Sequence, residues 1–100
     1  MTGERAYVEV EPRVRLFVQE FGAGPPVVFV HAGGMTHASW DHQVASLSGR
    51  FHTVAYDSRG VGISARPPSG YSIDVLARDL LHLIRALGLE RPALVAHGVG

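Results

Sequence analysis

Apolar and polar positions along this chain change their period several times, and each change marks an element. Val14, Leu16 and Val18 alternate with Arg15, Phe17 and Gln19. A period of two predicts a strand over Arg13 to Phe21 with one apolar face. Tyr7 to Val10 predicts a shorter strand before it. Glu11-Pro12 is the turn between them, because proline has no donor for a ladder. Gly22 to Pro26 breaks the pattern. Val27 to His31 is then apolar without alternation, as expected of a strand buried on both faces in a parallel sheet.

From His37 to Leu47 the period lengthens. Trp40, Val44 and Leu47 fall on one stripe of a helix and read as core. Phe51 to Tyr56 predicts another strand. Asp57 to Gly70 shows no period and holds three glycines and two prolines, which predicts a loop. Ser72 is placed to cap a helix over Ile73 to Leu87, with Gly88 just past its end. Ile73, Leu76, Leu80, Ile84 and Leu87 form its expected buried stripe, and Asp74 with Arg78 an exposed i, i+4 pair. Pro92 to Ala96 closes the series as a strand apolar on both faces.

The order β-β-β-α-β-α-β predicts an α/β fold. It is a mostly parallel sheet with an antiparallel hairpin at its N-terminal end, built by two right-handed crossovers. Ligands of such sheets bind at the carboxyl ends of the strands. Those ends carry His31 to Gly34 (HAGG), Asp57 to Ser64 (DSRGVGIS) and His97 to Gly100 (HGVG).

Composition narrows the partners. The chain of 100 residues is 46% hydrophobic and 18% charged, with a formal net charge of zero. Nothing in that balance favours nucleic acid or an anionic membrane. All nine basic residues are arginine, and they are scattered. There is no cysteine, which removes thiol chemistry, disulfides and cysteine-bound metal from this stretch. No apolar run is long enough to span a bilayer, so a cytoplasmic location is expected. His37, His42, His52 and His82 have no HExxH spacing, so no metal site is expected. No cofactor is expected, and the oligomeric state is left open.

Taken in order, VVFVHAGGMTHASWDHQ, VAYDSRGVGIS and ALVAHGVG resemble the N-terminal part of the α/β-hydrolase fold family. The likeness runs from about Val14 to the end. It implies an eight-stranded sheet of which five strands are present, truncated after the fifth. Residues 1–100 would then be the N-terminal part of one domain that continues beyond Gly100. In the family the fifth strand is central, and an unpaired apolar edge there is an aggregation liability. The family's catalytic acid and general-base histidine follow the nucleophile in chain order, so both would lie downstream.

The resemblance also implies a site. ALVAHGVG stands where the family has its nucleophile elbow, a sharp strand-to-helix turn, and Gly98 occupies the nucleophile position. Glycine tolerates the strained backbone of such a turn but offers nothing that attacks. The oxyanion hole would use the backbone N–H groups of Gly33 and Val99. Gly34, Met35 and His97 would lie against a small-molecule substrate, and Thr36 near the pocket mouth. Ala32 departs from the family's usual glycine. His31 is expected to hold the turn, Asp57 and Arg59 to fix their loop, and Ser64 to be a turn hydroxyl.

Three functions remain open. One is acyl transfer on an ester, lactone or thioester, with Gly98 replacing a nucleophile so that no covalent acyl-enzyme forms; a replaced aspartate would instead suggest epoxide or haloalkane hydrolysis. Another is a member that never had the nucleophile. It would be a lyase, decarboxylase, cyclase or isomerase using a downstream histidine, or a protein that only binds its ligand. The third is dinucleotide binding through Gly98-x-Gly100. That motif normally fills the first βα turn of its domain, and here HAGG already does.

Overall fold

The alternation at Val14, Leu16 and Val18 does build a strand, and both of its faces are used. A computed structural model describes residues 3–31, 35–62, 64–66 and 72–96. Strands β1 (Gly3–Glu11) and β2 (Val14–Phe21) form the antiparallel hairpin. Pro12 and Arg13 make its turn, with Arg13 at φ 68°. β1 begins four residues before the expected Tyr7, because its ladder to β2 runs back to Gly3↔Phe21. Val14, Leu16 and Val18 are buried as expected, but so is Phe17 on the other face. Tyr7 packs edge-on against it at 5.7 Å, and the His37 ring lies 4.9 Å away.

Strands β3 (Pro26–Val30), β4 (His52–Tyr56) and β5 (Ala93–Ala96) complete a five-stranded sheet of order β1-β2-β4-β3-β5. β4 is antiparallel to β2 and parallel to β3, and β3 is parallel to β5. Between β3 and β4 the chain forms a 3₁₀ turn, His37–Trp40, and helix α1 (Asp41–Leu47). The expected single helix from His37 is therefore split. Thr36 Oγ1 accepts the Ala38 N–H at 3.2 Å and caps the tighter first turn. Helix α2 (Ile73–Ala86) lies between β4 and β5, and Ser72 caps it through the Val75 N–H.

Neighbouring residues of the central strands feed two cores. Val28 and Val54 join Val10, Val14, Leu16, Val18, Tyr56 and Leu83 on the α2 face. Val27, Phe29 and Ala55 join Trp40 and Val44 on the α1 face. Trp40 is core, as its stripe predicts, with its ring 5.1 Å from Phe29. Helices thus cover both faces of the sheet, which is why β3 is apolar throughout and β4 is apolar from Val54 on.

Leu80, Ile84 and Leu87 of the expected α2 stripe pack against the core, but the most buried positions lie beside them. Leu83 is fully buried and Asp79 is 4% exposed, while Ile73 is 76% exposed. Ile73 begins the helix and reaches past the core. Asp79 lies on the inner face because Arg59 meets it there. Asp74 and Arg78 are exposed and form no ion pair among the described residues. β5 also differs: all four residues are exposed, and among the described residues it pairs with β3 alone.

Candidate functional site at the carboxyl edge of the sheet

The loop after β4 is a folded object because its side chains replace the ladder that ends at Tyr56. Asp57 N–H still donates to Phe17 O at 3.0 Å, and Ala65 N–H donates to Arg15 O at 2.8 Å. Between these two bonds to β2, Ser64 Oγ accepts the Phe17 N–H at 2.7 Å and donates to Asp57 O at 2.5 Å. Ser64 is thus more than a turn hydroxyl: it closes the loop against β2. Gly60 and Gly62 take φ 77° and 54°. A Cβ on Gly62 would run into the Asp57 carboxylate, so glycine is required there both for its φ and for the space. Arg66 spans the loop, donating to Gly60 O and Gly62 O at 2.8 Å each.

Two buried carboxylates anchor this loop. Asp79 of α2 takes Arg59 Nε and Nη2 in a bidentate pair at 2.7 and 2.8 Å. Arg59 Nη1 also reaches Glu11 at 3.1 Å. The hydrogen bond to Asp79 raises the Arg59 pKa above its ordinary range, against a smaller opposing effect of burial. A forked pair of this kind is the strong form of the ion pair. It joins loop, helix and hairpin, as the expected loop-fixing role of Arg59 implies. Burial, and then Asp79, push the Tyr56 phenol up to about 12, against the pull of a hydrogen bond with Ser58.

Asp57 is 1% exposed and faces the segment that follows β3. Its Oδ1 accepts the His37 main-chain N–H at 2.7 Å and lies 2.8 Å from His37 Nδ1. His31, buried at the end of β3, accepts the Ser58 N–H on Nε2 at 3.0 Å. His31 is therefore a neutral acceptor with its proton on Nδ1. The structural role expected of it is the one seen.

Gly33, Gly34, His97, Gly98 and Val99 lie outside the described residues. Met35 is described and is 42% exposed. Sequence reasoning missed His37. Its signal was available: a polar residue a few positions past β3, at the start of a helical stripe, has the end of the neighbouring strand within reach. Among the described residues no cluster of three His, Cys, Asp or Glu side chains suits a metal ion, and no helix is long and apolar enough to cross a membrane.

Residues 25–100 match the alpha/beta hydrolase fold family. An AB hydrolase superfamily protein of Bacillus subtilis is 36% identical over 94% of this chain and 35% of its own length. The 2-(acetamidomethylene)succinate hydrolase of Mesorhizobium japonicum is 39% identical over 88% of this chain and 32% of its own. The crystal structure of an epoxide hydrolase from Vigna radiata superposes with a TM-score of 0.90 at 38% identity, covering 96% of this chain and 32% of that one. The chain thus spans about a third of the length of the relatives it matches. With the family matched over three quarters of its residues and the same fold in solved relatives, the chain belongs to the alpha/beta hydrolase family.

Proposed function

We propose that residues 1–100 are the N-terminal part of a longer enzyme that acts on a small carbonyl-containing molecule without a covalent step at residue 98. The backbone N–H groups of Gly33 and Val99 form its oxyanion site, and Gly98 holds the turn between strand and helix. Gly34, Met35 and His97 line the substrate. The relative named as a 2-(acetamidomethylene)succinate hydrolase, whose substrate carries amide and carboxyl carbonyls, supports this substrate class.

One observation carries the reading. Val30 and Ala96 are register partners in adjacent parallel strands. Such strands are about 4.8 Å apart and end at the same edge of the sheet. A donor just past β3 and another just past β5 can then meet one carbonyl oxygen from two sides. Preorganised donors of this kind stabilise charge that develops on that oxygen whatever attacks or leaves the carbon. An ester, lactone or thioester fits, with water as the attacking group. So does a substrate that passes through an enolate, with a downstream histidine moving the proton.

The test compares the full-length protein with its Gly98→Ser variant, using a fluorophosphonate probe and p-nitrophenyl butyrate. In the variant the serine oxygen bonds to phosphorus, fluoride leaves and the proton passes to a base. The expected result is no label on the wild type and stoichiometric label on the variant, with a burst of p-nitrophenol. Label on the wild type would show a nucleophile elsewhere. A folded variant that neither labels nor turns over would remove the oxyanion site.

A further inference from the structure

The hairpin carries two arginines whose charge is not answered. Arg13 and Arg15 are exposed and form no ion pair among the described residues. Charged side chains close to them in the chain or the loop are engaged elsewhere. Glu11 holds Arg59 at 3.1 Å, and Arg66 donates to Gly60 O and Gly62 O. Arg13 also stands at φ 68°, in a turn that follows proline. Glycine or asparagine is the ordinary residue for that conformation. The turn alone therefore asks for glycine. A guanidinium kept against that preference points to a use for it.

The two side chains border one groove. Tyr7, Glu9, Arg13, Arg15, Ser64 and Ala65 line a space of about 460 Å³, which is the size of a small-molecule site. Glu9 and Arg15 are register partners across β1 and β2, and Tyr7 is the partner of Phe17. Arg13 precedes Arg15 by two residues, so their side chains leave the chain no more than about 7 Å apart.

The lining selects the ligand. The Ser64 hydroxyl is spent, since it accepts from the Phe17 N–H and donates to Asp57 O. The charged donors that remain are two guanidinium forks, whose planar N–H pairs match a carboxylate. Against the one carboxylate of Glu9, the groove keeps a single positive charge, which suits a monoanion. The Tyr7 ring is held on one side by Phe17 at 5.7 Å and is 56% exposed. An open aromatic ring takes a flat apolar body by stacking. We propose that this groove binds a small aromatic carboxylate, with the carboxylate between Arg13 and Arg15 and the ring against Tyr7. The site uses none of residues 33, 98 and 99, so it does not depend on the oxyanion reading.

The test titrates the full-length protein with 2-naphthoate, followed by ligand-detected NMR. 2-Naphthamide, which lacks the charge, and acetate, which lacks the ring, are the controls. 2-Naphthoate is expected to bind at least about tenfold more tightly than either. Arg15→Gln should weaken it about tenfold, and Tyr7→Ala about fivefold. Arg13→Gly is the sharpest variant. It should weaken 2-naphthoate about tenfold while the urea midpoint of unfolding stays equal or rises, because glycine relaxes the turn as the groove loses a charge. Both arginines are exposed, so neither variant threatens the fold.

An unchanged Kd in Arg13→Gly or in Arg15→Gln would put the ligand elsewhere on the protein and overturn the site. So would a control that binds as tightly as 2-naphthoate, or a failure to saturate below about 10 mM. Wild-type affinity in Tyr7→Ala would remove the ring contact, and the aromatic class with it.

Discussion

The two ends of the sheet are held together by opposite means. At the amino end, the turn into β3 closes by leaving side chains out. Gly22 and Gly24 sit at φ 78° and 125°, and a Cβ on either would strike backbone carbonyls of Ser48, Arg50 or Phe51. At the carboxyl end, the loop after β4 closes by putting side chains in: Asp57, Arg59 and Ser64 are all buried and hydrogen-bonded. Backbone packing of the first kind makes a compact corner with no chemistry to offer. A polar network of the second kind sets hydrogen-bonding groups at fixed places along the edge of the sheet. Ligand sites of these sheets lie at that end.

The comparison breaks most visibly at Gly22. Gly22→Ala forces an L residue into the left-handed region and drives a methyl into the Ser48 and Phe51 carbonyls. Strain and overpacking together should cost about 4 kcal/mol. Loss of soluble, cooperatively folding protein is expected, read by expression and circular dichroism. At the other end the largest effect belongs to Arg59→Ala, which leaves the Asp79 carboxylate buried without its forked partner. A loss of about 3 kcal/mol is expected from urea denaturation. If both substitutions cost under about 1 kcal/mol, neither end is fixed as described.

Alkaline pH tests the carboxyl end alone. Tyr56 is 3% exposed, and its pKa of about 12 lies above the 10.0 of a free phenol. The raised value means that the neutral form fits the fold and the phenolate does not. The stabilisation is fully present below about pH 10 and is lost as pH rises towards 12. Two pKa units correspond to about 2–3 kcal/mol. Urea midpoints between pH 9 and 12 should fall for the wild type and fall less for Tyr56→Phe. Parallel curves would mean that another group governs the alkaline limit.

Most of the fold was legible because burial follows period. The alternation at Val14, Leu16 and Val18 and the apolar run at β3 each produced the expected strand, and the stripe Trp40-Val44-Leu47 produced a helix over Asp41–Leu47. Periodicity failed where a charge decided the face. α2 turns Asp79 inward because Arg59 awaits it, and no count of apolar residues along one helix reveals a partner on another element. Phe17 was placed on the polar face because alternation cannot anticipate a ring arriving from His37. At the site, His31, Asp57 and Arg59 were legible as fixing residues through the resemblance. His37 was not, because its role depends on β3 and β4 lying side by side. Gly33, Gly98 and Val99 rest on motif position.

The smallest effect sharpens the comparison from the amino end, which has a polar pair of its own. His52 Nε2 lies 2.7 Å from Glu20 Oε1 across β4 and β2. In contact chemistry it matches His37 with Asp57, and burial separates the two. The His52 and Glu20 side chains are 26% and 20% exposed, whereas Asp57 is 1% exposed. Water screens and solvates the first pair, so its coupling should be about 0.5 kcal/mol and should shrink further in salt. A double-mutant cycle with His52→Gln and Glu20→Gln, read by urea denaturation at two salt concentrations, measures it. A coupling above about 1.5 kcal/mol that ignores salt would make this pair a second polar anchor. The amino end would then be held by this pair as well as by close backbone packing and the Thr53 hydroxyl on Phe21 O, and the contrast that singles out the carboxyl edge would rest on Asp57 and Arg59.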